Sequence, residues 1–280
     1  MVDFVTPLLV MHRIASIAAM LALAAVSQVL AAGEQPKSLT PAEMKSDNYI
    51  LPPPEEVFMA LRGVTTVDFG KICAAIAKDP ATSRSKFNND AAKAANLGMR
   101  VADAFVAVQA KDASALRRAS DVIEILSLEL SADLSLKNKI AVANKLADEG
   151  KWNELRTILE SVRVDVLDEM KANKDKDSVT LATVGGWLRA LNIATTALCT
   201  DYTPDATKIL RQPQLVAYLK SRMDALGPKA KATPFVQKIL GQMDTIAKLT
   251  DIPEGTTMSN DDVQKLHQIS DDLVAAIANA

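Results

Sequence analysis

Between Asp177 and Cys199 the chain reads DSVTLATVGGWLRALNIATTALC, and this stretch restricts the fold more than any other. Leu181, Val184, Leu188, Leu191, Thr195 and Leu198 recur at spacings of three and four; Trp187, Ala190, Ala194 and Ala197 form a second apolar row beside them. A helix apolar over so much of its circumference is not a surface helix, so the pattern predicts a central pillar with other helices around it. Gly185 and Gly186 would each cost up to about 1 kcal/mol against alanine in such a helix. The pair therefore predicts close approach of a neighbouring backbone beside Trp187, with a helix break as the local alternative.

The polar remainder of the same helix, Arg189, Asn192 and Thr196, falls on one stripe. Facing solvent, the stripe needs no partner. Facing inward, it requires carboxylates or carbonyls opposite, because a buried unpaired guanidinium is prohibitively costly. Asn96 and Asp103, seven apart in AANLGMRVAD, are the candidate partners. Asn96, Asp103, Trp187, Arg189 and Asn192 thus form the candidate constellation, as a structural polar network or as the wall of a ligand cleft.

Helical period continues along the rest of the chain. Apolar positions spaced by three and four predict helices over 89–110, 116–130, 135–149, 152–173, 178–199, 204–226 with a break near Pro213, 233–249 and 260–279. Asp112, Gly150, the run KANKDKD, Gly227-Pro228 and Ile252-Pro253-Glu254-Gly255 supply the expected boundaries. No segment alternates in the manner of a strand flanked by hairpin turns. The expected fold is all-α, a multi-helix bundle or stacked helical hairpins of about nine to eleven helices. ANKLADEGKWNELRTILESV (142–162) is similar to one unit of a tetratricopeptide array, but no second copy follows at the required spacing.

The N-terminus carries an address rather than a fold. From Met11, a plausible true start, basic residues precede an apolar run from Ile14 to about Val26, and Leu30-Ala31-Ala32 precede polar sequence. That order predicts a secretory signal peptide over 1–31, hence a periplasmic or secreted protein with no membrane span once the signal is removed; retention as an anchor is the competing reading. Residues 32–54, with five prolines, predict an extended lead-in, and Pro54-Glu55-Glu56 a helix start opening an all-helical domain over 55–280. In an exported chain Cys73 and Cys199 are the one pair available for a disulfide, with two buried thiols as the alternative.

Composition narrows the function. Net charge is −2, with 32 basic and 34 acidic residues that read as interspersed, and aromatic residues make up 4%. Nucleic acid, which needs clustered cations and stacking surfaces, is an improbable partner on that reading. His267 is the single histidine after the signal, and no HExxH, CxxC, GxSxG or phosphate loop occurs. The sequence therefore implies no metal, no cofactor and no catalytic residue. Carboxylate pairs such as Asp121 with Glu124 read as solvated helix faces and caps.

YILPPPEEVFMAL, KAANLGMRVAD and GGWLRALNIATTAL together resemble an uncharacterised set of exported, all-helical bacterial proteins, across roughly residues 49–225. The resemblance implies export and a helical fold, and implies no reaction. Those relatives often carry a lipid-attachment cysteine that this chain lacks after its apolar run. The expected function is a non-catalytic binding or structural role. The alternatives are a small-ligand binder or carboxylate-dependent enzyme with a cleft near Asp103 and Arg189, and a tetratricopeptide-like interaction module.

Overall fold

Aspartate, asparagine and serine side chains set where the helices begin. The computed structural model describes Leu61 and residues 67–130, 135–172 and 175–280; the signal peptide (1–31) and the proline-rich lead-in (32–54) lie outside the described residues. Asp68 caps α1 (Phe69–Lys78), Asn89 caps α2 (Asp90–Ala110) and Asp112 caps α3 (Ala113–Glu129), each accepting a hydrogen bond from a backbone N–H of the first turn. α4 (Ser135–Asp148) and α5 (Trp152–Ala172) form an antiparallel hairpin turned by Gly150, whose φ of 69° suits glycine. Asp175 caps α6 (Lys176–Thr200). After it come α7 (Pro213–Asp224), the short α8 (Pro228–Lys231), α9 (Pro234–Thr250) and α10 (Asn260–Ala278), the last capped by Ser259. Among the described residues these ten α-helices and two 3-10 segments make up the regular structure, and the fold is an all-α bundle.

Two elements depart from the expected ranges. α1 lies outside the helix ranges expected above, although Phe69, Ile72, Cys73 and Ile76 fall at helical spacing and supply the signal for it. The segment 204–226 breaks at Pro213 as expected, where α7 starts, but its first part, Pro204–Leu210, is 3-10 rather than α. Proline removes a backbone donor at each start, and a spacing of three fits both helix types.

α6 is the pillar that its sequence demands. It packs against α2 and α10 along its length and also touches α5 and α7. Leu181, Val184, Leu188, Leu191 and Leu198 are buried, and Trp187 is 8% exposed. The helix continues unbroken through Gly185 and Gly186, so the glycines serve close approach rather than a break.

That approach is made to α2. A Cβ placed on Gly185 would stand 2.1 Å from the Ala95 carbonyl oxygen, and one on Gly98 would stand 1.8 Å from the Ala182 carbonyl oxygen and 2.8 Å from the Gly186 nitrogen. Backbone therefore meets backbone where side chains would ordinarily separate helices by 8–10 Å. Gly98 is the partner that sequence reasoning left out. Beyond the crossing, Asp103 of α2 meets Arg189 of α6, so the two helices advance in the same sense. α10 runs back against α6, with Asn192 opposite Asp271 and Thr195 opposite Ser270.

Candidate functional site

The close α2–α6 crossing decides what lies just beyond it. Arg100 and Asp103, three apart, share one face of α2, and Arg189 lies one turn past Gly185 and Gly186 on α6. The Asp103 carboxylate is 5% exposed and sits between two guanidiniums: Arg189 Nε donates to Oδ1 at 2.7 Å, and Arg100 Nη1 lies 3.0 Å from Oδ2. Arg100 Nη1 also donates to the Thr82 carbonyl in the 3-10 turn Pro80–Ser83. Arg189 is 8% exposed and reaches Asn192 Oδ1, whose amide nitrogen in turn lies 3.4 Å from Asp271 at the surface of α10. One polar chain thus joins the 3-10 turn, α2, α6 and α10.

The stripe of Arg189, Asn192 and Thr196 is accordingly split. Arg189 and Asn192 face inward, whereas Thr196 is exposed and donates to the Asn192 carbonyl. Of the two expected partners, Asp103 pairs with Arg189, but Asn96 does not join that chain. Asn96 Nδ2 donates to Ala92 O and to Ile277 O, the latter in the last turn of α10, where it also accepts from the Ala280 N–H. Trp187 also lies elsewhere. Its indole N–H donates to Gln212 Oε1 at 3.0 Å, and the Gln212 backbone N–H donates to Thr250 O, which ties α6 to the start of α7 and the end of α9. Arg100, as buried as Asp103, went unnoticed; its place three residues before Asp103 on one helix face was the available signal.

Electrostatics here serve docking. Burial draws the Arg100 guanidinium below its ordinary value, with the neighbouring Arg189 acting in the same direction, while Asp103 and Asp79 oppose. Both Asp103 oxygens face a guanidinium, but only Oδ1 accepts a hydrogen bond; the buried Oδ2 is held by the charge of Arg100 alone. A second polar group sits farther along α6, where Thr195 Oγ1 lies 3.3 Å from Ser270 Oγ and 3.4 Å from His267 Nδ1. Ser270 is fully buried and spends its proton on the His267 carbonyl, and Thr195 bonds back to Leu191 O. This is a helix-to-helix seam, and it lacks the accessible hydroxyl that nucleophilic chemistry needs.

Cys73 and Cys199 are both free thiols. Burial, with Asp112 and Asp103 adding to it, pushes Cys73 up to about 12, and burial also raises Cys199. Cys73 is thus a protonated core residue rather than a nucleophile at neutral pH. Among the described residues no group of three or more His, Cys, Asp or Glu side chains is placed to hold a metal ion, and no helix is long and apolar enough to cross a membrane. No family model matches the chain, and neither the curated proteins nor the solved structures include a significant match.

Proposed function

We propose that this chain is an exported helical protein that acts by binding or as a structural element, without catalysis of its own. One observation supports this reading above others: Asp103 and Arg189, the pair best suited to handle a ligand, are buried and occupied with each other, with Arg100 and with Asn192. A ligand-handling cleft would leave at least one of these groups open to incoming substrate. Export rests on the order of basic, apolar and small residues across 11–32, and a periplasmic location follows from it for a Gram-negative source.

Two measurements test the proposal. Cell fractionation with N-terminal sequencing should find the chain outside the cytoplasm, beginning near residue 32; a chain retained whole in the cytoplasm removes the export half. A thermal-shift panel of metabolites and metals should leave the melting temperature unchanged, because only a ligand that binds the folded state raises it. A metabolite whose stabilising effect disappears in Arg189→Lys, a variant that keeps the charge, would replace the structural reading with a ligand site.

A further inference from the structure

The even charge balance of the whole chain conceals a segregation. From Pro204 to Thr250, spanning the second 3-10 segment and α7–α9, there are eight Lys or Arg against three Asp, so the remaining 233 residues carry the acidic excess. The three carboxylates are spent locally: Asp205 pairs with Lys208 at 2.7 Å, and both Asp224 and Asp244 lie on Lys220. Lys231 and Lys238 reach the backbone carbonyls of Asp224 and Asp272, which hold an ammonium group without cancelling its charge. Lys229 and Lys248 are exposed, and none of these four lysines has a carboxylate partner among the described residues.

These charges are spread over the α7–α9 hairpin. Lys220 beside Asp244 and Gln212 N–H on Thr250 O fix an antiparallel pairing. Lys248 therefore lies near the start of α7, whereas Lys229 and Lys231 lie beyond its end, separated by roughly the 25 Å length of a 17-residue helix. Tyr218, Met223, Phe235 and Met243 are turned inward, so the outer face offers neither a stacking platform for bases nor an apolar wedge. Lysine is a compact, hydrated point charge, without the planar fork by which arginine reads a discrete phosphate or carboxylate. Dispersed lysine charge without aromatic or bidentate partners suits a delocalised anionic sheet.

We propose that the α7–α9 face docks on a bilayer surface bearing anionic headgroups, by electrostatics alone. This gives a partner class to the binding role proposed above and rests on that reading only for where such a surface is met. Failure of N-terminal processing would add binding that ignores headgroup charge but leave the dependence on anionic headgroups unchanged, and failure of that dependence would not alter processing.

The test is co-sedimentation of the purified full chain with vesicles of phosphatidylglycerol and phosphatidylcholine in a roughly one-to-two ratio, against phosphatidylcholine alone. The apolar segment 14–26 would bind either vesicle, so the informative signal is the difference between them. The expected result is binding that requires phosphatidylglycerol and is lost between about 50 and 300 mM salt. The triple variant Lys229→Gln, Lys231→Gln, Lys248→Gln should bind about tenfold more weakly or worse. The variant Lys137→Gln, Lys145→Gln, Lys151→Gln, which changes net charge equally on α4 and its turn, should retain wild-type binding. If the first variant fails to fold, as read by circular dichroism, the salt and headgroup dependence of the wild-type chain still decides. Indifference to headgroup charge or equal loss in the two variants would overturn the proposal, as would tighter binding to a single-stranded oligonucleotide than to the vesicles.

Discussion

Arg189–Asp103 and Arg117–Asp148 are ion pairs of nearly equal length, 2.7 and 2.6 Å, in very different surroundings. The first lies between α2 and α6 with its side chains at most 10% exposed; the second joins α3 to the end of α4 with both side chains about half exposed. In water the attraction is small and the freedom lost by two long side chains offsets it, so the outer pair contributes roughly 0–1 kcal/mol. In the interior each charge has surrendered its hydration, and removing one partner strands the other at several kcal/mol. The same contrast holds for backbone: α2 and α6 touch through glycine, whereas α3, α4 and α5 contain no glycine and carry the exposed Ile125, Leu128, Val142 and Val164. Distance alone does not rank these interactions; what surrounds them does.

The largest effect expected from breaking this contrast lies at the crossing. Gly98→Ala and Gly185→Ala add one carbon each, and in both cases it would overlap a backbone carbonyl that no rotamer change can move. The helices must separate, which opens the layer beneath Trp187 and Leu188. Each substitution should cost upwards of about 4 kcal/mol, above the usual range for overpacking. Chemical denaturation checks this; a loss below about 1 kcal/mol would show that the two backbones are not in contact.

Next in size is the pair of carboxylates. Asp103→Asn keeps the shape but leaves Arg100 and Arg189 without the carboxylate between them, and should cost about 3–5 kcal/mol. Asp148→Asn should cost less than about 1 kcal/mol, and high salt should abolish what it does cost. Similar losses at the two sites would remove the distinction between interior and surface.

Cys73 sharpens the same distinction through pH. Its folded-state value, about 12, lies above that of the unfolded thiol, so the native state keeps the proton after the unfolded chain has released it. Stability from this group is complete below the ordinary thiol range and is lost as pH rises from there through about 12. Cys73→Ala should flatten the alkaline decline in stability. At pH 8 a thiol reagent should label the partly exposed Cys199 in the native protein and reach Cys73 only after unfolding; mass spectrometry distinguishes the two.

Much of the bundle was legible because helical period is local. Leu181 to Leu198 announce a surrounded helix, and Gly185 with Gly186 announce a close neighbour, in residues adjacent along the chain. What was not legible is tertiary. Gly98 looks ordinary within α2 until Ala182 lies against it, and Arg189 and Asn192 have the same spacing whether a stripe faces water or a neighbour. The excess of lysine across α7–α9 was present in the sequence, but a balanced total hid it. Asn96, a candidate partner for Arg189 if the stripe faced inward, instead serves α10, because which helix end comes within its reach is fixed by packing.

The smallest effects should change sign, and that makes them the finest test of the comparison. Alanine is preferred to glycine within a helix by about 1 kcal/mol, so Gly→Ala destabilises only where space is lacking. A Cβ on Gly241, within α9, meets nothing within 4 Å, and Gly241→Ala should stabilise by about 0.5–1 kcal/mol. A Cβ on Gly186 would lie 3.2 Å from the Gly98 carbonyl oxygen, close enough for a slight shift to consume the propensity gain, so Gly186→Ala should fall within about 1 kcal/mol of zero. Conversely, Lys111 ends α2 with φ at 55°, where its side chain is strained, and Lys111→Gly should gain about 0.5–1 kcal/mol. Thermal melts of the four Gly→Ala variants should therefore rank Gly241 above Gly186, and Gly186 above Gly98 and Gly185. An order that followed helix propensity alone would place all four together and leave the α2–α6 contact without energetic meaning.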